Sequence, residues 1–370
     1  VVHQYGGISA TFCSRNVKVY TLEMTSPSPA PRSRRTKGSQ RASIEDVARL
    51  AKVSSGTVSR ALRGLPNVSE KTRAKVAAAA EQLQYVASPS ASSLASGRMS
   101  TVGVVTPYIS RWFFAEVLSG IDQVLQDSSF DLVLYMDTDG ELFEKLPMRR
   151  RVDAVLLLTL PSDVPDVEGV ATLGVPVGSL GVDIPGFSSV TIDDVAGAET
   201  AVNHLIGLGH RAIAMVTLDR EFSINFRPPY LRSAGYHKAL AAAGIEARPE
   251  FEVDGHSTIE GGEQAAAQLL SRPDRPTAIF VQSDEMAMGV LHTIRRAGLR
   301  CPEDISVIGF DDHELARVFD LTTVAQPAMR QGELLARQVL DQVLHGTPPS
   351  TTQLPTQLVI RGTTAPPHHG

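Results

Sequence analysis

The sequence predicts an α/β protein: a small all-α head with a helix-turn-helix pattern, then a much larger body built on mostly parallel sheets. Three observations carry this reading. Residues 43–85 show helical periodicity interrupted by two turns. From Thr101 onward, short β-branched runs alternate with helical stretches, the pattern of βαβ units whose strands are buried on both faces. Charge also changes sign between the parts, with 15 Lys/Arg against 5 Asp/Glu over residues 1–100 and 20 against 35 over the remaining 270. A basic front on an acidic body suits a protein that brings only one end to a polyanion.

The head is legible helix by helix. Ser43 is a good N-cap with Asp46 three residues on, and Ile44, Val47, Ala48 and Ala51 make one apolar stripe. A turn through Lys52 and Val53 leads to Ser54 as the next cap, after which Val58, Ala61 and Leu62 face inward until Gly64 and Pro66 stop the second helix. Ser69 caps a third helix carrying Val76, Ala80 and Leu83. In the body the runs TVGVV, DLVLYM, AVLLL, VTI, IAMV, AIFV, ISVIGF and TTV are the expected strands, with helical segments such as 194–208 and 284–298 between them.

Length and composition bound the rest. A chain of 370 residues exceeds one ordinary domain. With 42% hydrophobic and 20% charged residues and no apolar run long enough to span a bilayer, it reads as soluble, with no membrane partner. Cys13 and Cys301 stand far apart, outside any CxxC or Cys/His cluster. Neither a disulfide framework nor a zinc site is therefore expected, and a cytoplasmic setting is. Residues 1–40 read as a disordered basic arm, because Thr25–Gln40 is rich in Pro, Ser and Arg. Arg15 and Lys18 interrupt any apolar stretch of secretory length, and Met24 leaves open a start that would exclude residues 1–23.

The second helix of SIEDVARLAKVSSGTVSRALRG has the features of a major-groove reader. Short side chains at its start let the backbone come close, and Ser54, Ser55, Thr57 and Ser59 supply hydroxyls for phosphates or base edges. Arg60 is the expected base reader, since its fork matches the O6/N7 edge of guanine.

Ala42–Met99 resembles the head of the LacI/GalR family of transcription regulators, through IEDVARLAKVSSGTVSRALRG, NVSEKTRAKVAAAAEQLQYV and SPSASSLASGR. The resemblance implies a homodimer with two heads on a palindromic double-stranded operator. It places Ser55, Gly56 and Arg60 at base-reading positions, and Ser43, Thr57, Ser59, Asn67, Ser69 and Thr72 where phosphate contacts cluster. Residues 42–86 would be the helix-turn-helix domain and 87–99 a hinge helix, in which Leu94 wedges into the minor groove and Ala91 keeps paired hinge helices close. The usual Pro-Asn before this hinge is Ala87-Ser88 here, followed by Pro89.

Residues 100–362 resemble the family's effector-binding and dimerisation domain, a two-lobed periplasmic-binding-protein-like fold, through strings such as DDVAGAETAVNHLIGLGHRAIA, SDEMAMGVLHTIRRAG and ISVIGFDD. What this implies is a small effector, expected to be a sugar, held between the lobes by Phe113, Arg232, His256, Asp284, Asp311 and Gln326. Arg111-Trp112 replaces the common Asn-Pro before Phe113, bringing a charge and the chain's single Trp to the pocket mouth. Residues 363–370 read as a disordered tail without a tetramerising heptad.

The expected function is a sequence-specific regulator, a repressor in the usual case, with no cofactor or metal and a place at the nucleoid. Enzyme motifs are lacking: there is no GxSxG, P-loop, HExxH or dinucleotide fingerprint. A regulator answering a phosphorylated metabolite or protein partner, and a solute-binding protein, remain the alternatives.

Overall fold

The computed structural model describes residues 42–62, 66–85, 98–136, 148, 150–158, 169–219 and 227–367. The expected arm and most of the hinge segment, Ala91 and Leu94 included, lie outside the described residues; Arg98 and Met99 are not helical. The chain divides into two compact units after Ala87.

The head unit is three helices, α1 (Ile44–Ala51), α2 (Ser55–Leu62) and α3 (Glu70–Gln82). Its miniature core joins Val47, Ala48 and Ala51 of α1, Val58 and Ala61 of α2, and Val76, Ala79 and Ala80 of α3. Small residues at these positions let short helices approach closely. α1 opens on a complete capping box: the Ser43 hydroxyl accepts from the Asp46 N–H (3.3 Å) and the Ser43 N–H donates to the Asp46 carboxylate (3.0 Å). It ends at Lys52, whose left-handed backbone (φ 57°) turns the chain into α2.

The body unit holds two six-stranded sheets. The first lobe is built from β1 (Thr101–Thr106), α4 (Trp112–Asp127), β2 (Asp131–Met136), β3 (Ala154–Leu157), β4 (Val177–Leu180) and β5 (Ser188–Ile192). The second contains α5 (Asp194–Gly207), β6 (Ile213–Thr217), α6 (Pro228–Ala242), β7 (Glu252–Asp254), α7 (Ile259–Leu270), β8 (Ala278–Val281), α8 (Asp284–Arg296), β9 (Ser306–Asp311) and β10 (Thr322–Ala325). The chain then returns as α9 (Ala328–His345) to cover the first sheet, adds β11 (Thr351–Leu354) to it, and finishes with β12 (Gln357–Val359) on the second. Strand orders are β11-β5-β4-β3-β1-β2 and β12-β10-β9-β8-β6-β7, all parallel except β12 against β10. The chain therefore passes between lobes three times, near Asp193, at Gln326-Pro327 and at Pro355-Thr356.

In the second lobe helices cover both faces of the sheet, giving one apolar layer with α7 and α8 and another with α5 and α6. In the first lobe α4 and α9 share a face of the sheet and touch backbone to backbone. A Cβ at Gly120 would sit 2.1 Å from the Met329 carbonyl oxygen, and one at Gly332 would sit 2.1 Å from that of Val117.

The expectation of a disordered tail from residue 363 is corrected by the structure. Thr363 is buried, its carbonyl accepts from the Val307 N–H (2.8 Å), and its hydroxyl accepts from the Thr322 N–H (2.9 Å). Short hydroxyl-bearing residues make these bonds without an apolar anchor, which hides such a segment from a hydrophobicity reading.

His210 pins the same segment. Its Nε2 lies 2.9 Å from the Ala365 carbonyl and therefore donates, while Nδ1 meets the Thr277 hydroxyl at 2.9 Å. Burial holds the imidazole below its ordinary value of 6.5. Neutral when folded, it makes the unfolded chain the better proton binder in mild acid, so this site's contribution is complete above about pH 6.5 and lost as pH falls below it. Urea unfolding of wild type and His210→Gln should differ most near neutral pH and converge in mild acid; a constant difference would contradict this.

Candidate DNA-binding head and effector cleft

In the head, α2 presents Ser55, Gly56 and Arg60 to solvent with Ser59 half-buried beside them, opposite the inward Val58 and Ala61. The Ser54 hydroxyl accepts from the Thr57 N–H (3.1 Å) and pairs with the Thr57 hydroxyl (2.9 Å). Ser69 and Thr72 repeat this arrangement at α3, after Asn67 in the left-handed region (φ 68°). The hydroxyls of Ser43, Ser54 and Ser69 thus serve as helix caps. Three helix N-termini, each with orphan N–H groups, are the head's natural anion-binding points. Arg60 folds back, its Nη2 donating to the Pro66 carbonyl at 2.9 Å. A Cβ at Gly56 would meet nothing nearer than the Ser54 Oγ at 3.8 Å, so packing does not require glycine there. The face is simply flat at that point.

In the body, one cleft lies where strands of both sheets end, enclosing about 1080 Å³ with its open mouth included. Side chains and loops beyond β1, β3, β4 and β5 form one wall, and those beyond β6, β8, β9 and β10 the other. This is where the open ends of parallel strands leave a crevice. The first wall is largely apolar, with Tyr108, Phe113, Phe114, Leu158, Leu180 and Ile192.

A charged network forms the opposite floor. The buried Arg232 donates through Nε to Asp194 (2.8 Å) and through Nη1 to the Gln282 carbonyl, and it faces Asp311 at 3.6 Å. Its guanidinium lies over the Phe310 ring, 3.7 Å from the centroid. Asp311 accepts from Gln326 Nε2 (2.6 Å), and Gln326 Oε1 accepts from Gln331 (3.1 Å). Burial pushes the Asp311 carboxyl up to about 6, with Arg232 and Gln326 opposing. The Asp311 backbone takes φ 125°, which aims its carboxylate from the strand end toward Arg232.

The structure brings Phe113, Arg232, Asp311 and Gln326 to the cleft and excludes two other residues expected there. Asp284 is fully buried beneath the floor, accepting from the His313 N–H (2.8 Å) and the Thr323 hydroxyl (2.7 Å). Burial, then the charge of Asp311, raises its carboxyl well above the ordinary value. Its neighbours Ser283 and Glu285 line the cleft instead, because Asp284 opens α8 with its side chain turned inward. His256 is 62% exposed at its side chain and points away. Left-handed backbone at both His256 and Ser257 turns Ser257 inward, where its hydroxyl accepts from the Asp219 N–H (2.9 Å). Asp194, Asp219, Glu285 and Gln331 also line the cleft without having been singled out in the sequence.

Asp284 occupies the space beside Gly309, where a Cβ would fall 2.0 Å from its Oδ1. Gly309→Ala is expected to lower stability by about 1–3 kcal/mol through overpacking, read by urea unfolding; an unchanged midpoint would show that the carboxylate moves freely.

The description "Bacterial regulatory proteins, lacI family" applies to the model matching residues 43–88, and a periplasmic binding protein-like domain matches residues 202–364. Catabolite control protein A of Priestia megaterium is 36% identical over 332 residues, 87% of this chain and 98% of that protein. This chain belongs to the LacI family. The resemblance drawn from the sequence is thereby established, and the LacI-family chain is a DNA-binding transcription regulator. The lac repressor dimer bound to operator and an anti-inducer matches its fold with a TM-score of 0.79 at 30% identity, covering 88% of this chain and 100% of that one. A regulator–cellobiose complex, CelR, matches at 0.64 and 32% identity, covering 87% and 100%.

Proposed function

We infer that this LacI-family regulator is a cytoplasmic homodimeric repressor whose operator affinity is set by a neutral sugar in the cleft. The observation that carries the effector class is the state of Arg232, already matched by Asp194 and Asp311, opposite an apolar aromatic wall. A paired guanidinium and carboxylate offer forked donors and acceptors for vicinal hydroxyls, and the aromatic wall suits the C–H face of a sugar ring. The cellobiose held by CelR supports the same class. In the head, Ser55, Gly56 and Arg60 face the groove floor, with Ser54 beside them. Ser43, Thr57, Ser59, Asn67, Ser69 and Thr72 lie along the phosphates, while Ala91 and Leu94 belong to the hinge.

Effector binding shifts the balance between two lobe arrangements and thereby the spacing of the paired heads. Selection of bound DNA from a random pool, with and without neutral and phosphorylated sugars, tests this. A palindromic consensus whose recovery changes with a neutral sugar is the expected result. A response confined to phosphorylated sugars, or to none, would sink the effector assignment.

A further inference from the structure

We propose that Arg111 and Trp112 of the first lobe and Glu285 and His313 of the second form a latch that positions the lobes around the cleft before any effector arrives. The inference rests on the reading of that cleft as the effector site, and extends it to residues beyond the ligand floor.

α4 begins without a cap of its own: Arg111 at the N-cap position makes no side-chain bond to the helix, and no acidic residue occupies its first turn. The missing acceptor comes from the other lobe. The Glu285 carboxylate, carried on the first turn of α8, faces the Trp112 backbone N–H and the Arg111 guanidinium; burial raises its carboxyl, and these two groups oppose the rise. A carboxylate there answers both the orphan N–H groups and the positive end of the helix.

The second contact is aromatic. The Trp112 indole lies against the His313 imidazole with ring centres 4.9 Å apart and planes inclined by 30°. His313 is itself fixed, since its Nδ1 accepts from the Leu315 N–H (2.9 Å) and its own N–H donates to Asp284. On the first-lobe side, Arg111 lies 5.3 Å from the Tyr108 ring centre, tying the loop after β1 to the same point. The stacked rings thus join Trp112 to the turn after β9, and the Glu285 carboxylate of α8 adds an electrostatic attraction to residues 111–112. The Trp112 Nε1 is buried with no acceptor among the described residues, a cost of the joined state that opening relieves. This keeps the latch reversible. A latched cleft spares the effector part of the cost of ordering the lobes, so breaking the latch weakens effector affinity.

Trp112 is the single tryptophan of the chain, so intrinsic fluorescence reads the latch directly. The test uses full-length protein without ligand, quenched by acrylamide, as wild type, His313→Asn and Glu285→Ala. Asn retains an acceptor for the Leu315 N–H while removing the stacked ring. Expected are strong protection of Trp112 in wild type and a red shift with severalfold higher quenching in His313→Asn. Glu285→Ala, which removes the acceptor and the charge together, should show the same release, although Glu285 faces only the backbone of Trp112. That second effect separates a latch from local packing. Unchanged emission and quenching in both folded variants would overturn the proposal. Should either variant fail to fold, wild type decides alone: quenching as efficient as that of free N-acetyltryptophanamide overturns it. No effector is present, so the result stands apart from the DNA selection that tests the effector reading.

Discussion

Arg232→Ala is expected to lower the unfolding free energy of the body by about 3–5 kcal/mol and to abolish the effector response. The size follows from what the substitution leaves behind. Asp194 and Asp311 are both buried and share this guanidinium, and Phe310 loses the cation lying over its ring. Removing one partner of a buried ionic group strands the others, which costs more than the group's net worth. Asp311, already pushed up to about 6, has an escape by protonation, so the loss should be smaller in mild acid than at neutral pH. Because the head is a separate compact unit, operator binding should persist below the melting temperature. Denaturant unfolding at two pH values, with effector titration of the folded variant, checks each part. A loss well under about 1 kcal/mol at neutral pH would mean that water or the effector's own polar groups already solvate the two carboxylates.

The second large effect concerns DNA. Arg60→Ala should weaken specific operator binding by about 1–3 kcal/mol and relax preference at one base pair per half-site. In the free head the guanidinium is held by the Pro66 carbonyl, so base reading exchanges that bond for a groove contact. The exchange makes the net loss smaller than the groove contact alone. Binding across a set of single-base operator variants discriminates the outcomes. An equal loss for every sequence would reassign Arg60 to the phosphates.

β1 and β8 were legible in the sequence because burial on both faces leaves a continuous apolar signal, as in Val104–Val105 and Ile279–Val281, whereas β2 departs from the expected burial and is exposed or half-buried along its length. β4 was not legible, since Val177–Leu180 contains Gly and Ser, and the buried Ser179 is satisfied by the Ser189 hydroxyl and the Val182 carbonyl. The edge strands β7, β11 and β12 are three or four residues long with polar faces, and periodicity cannot register in so few. At the cleft, the errors are matters of phase. Asp284 and Glu285 are both acidic neighbours at a helix start, and only the helix's rotation decides which reaches the cavity. His256 and Ser257 are separated by backbone of positive φ, for which neither residue type gives warning. Arg232 and Asp311 were legible only through the resemblance, whose strings LRSAGY and GFDD place them at the cleft.

The order in which the lobes are closed has a consequence for synthesis. The first sheet begins at Thr101 but lacks its edge strand until Leu354 has been made, and it lacks its covering helix until His345. The head needs nothing beyond Tyr85 for its core. At about 5–20 residues per second, a ribosome leaves an interval of roughly 10–50 s in which a finished head hangs from an unfinished body. During that interval each nascent chain carries a folded reader joined to a body whose cleft has not yet formed.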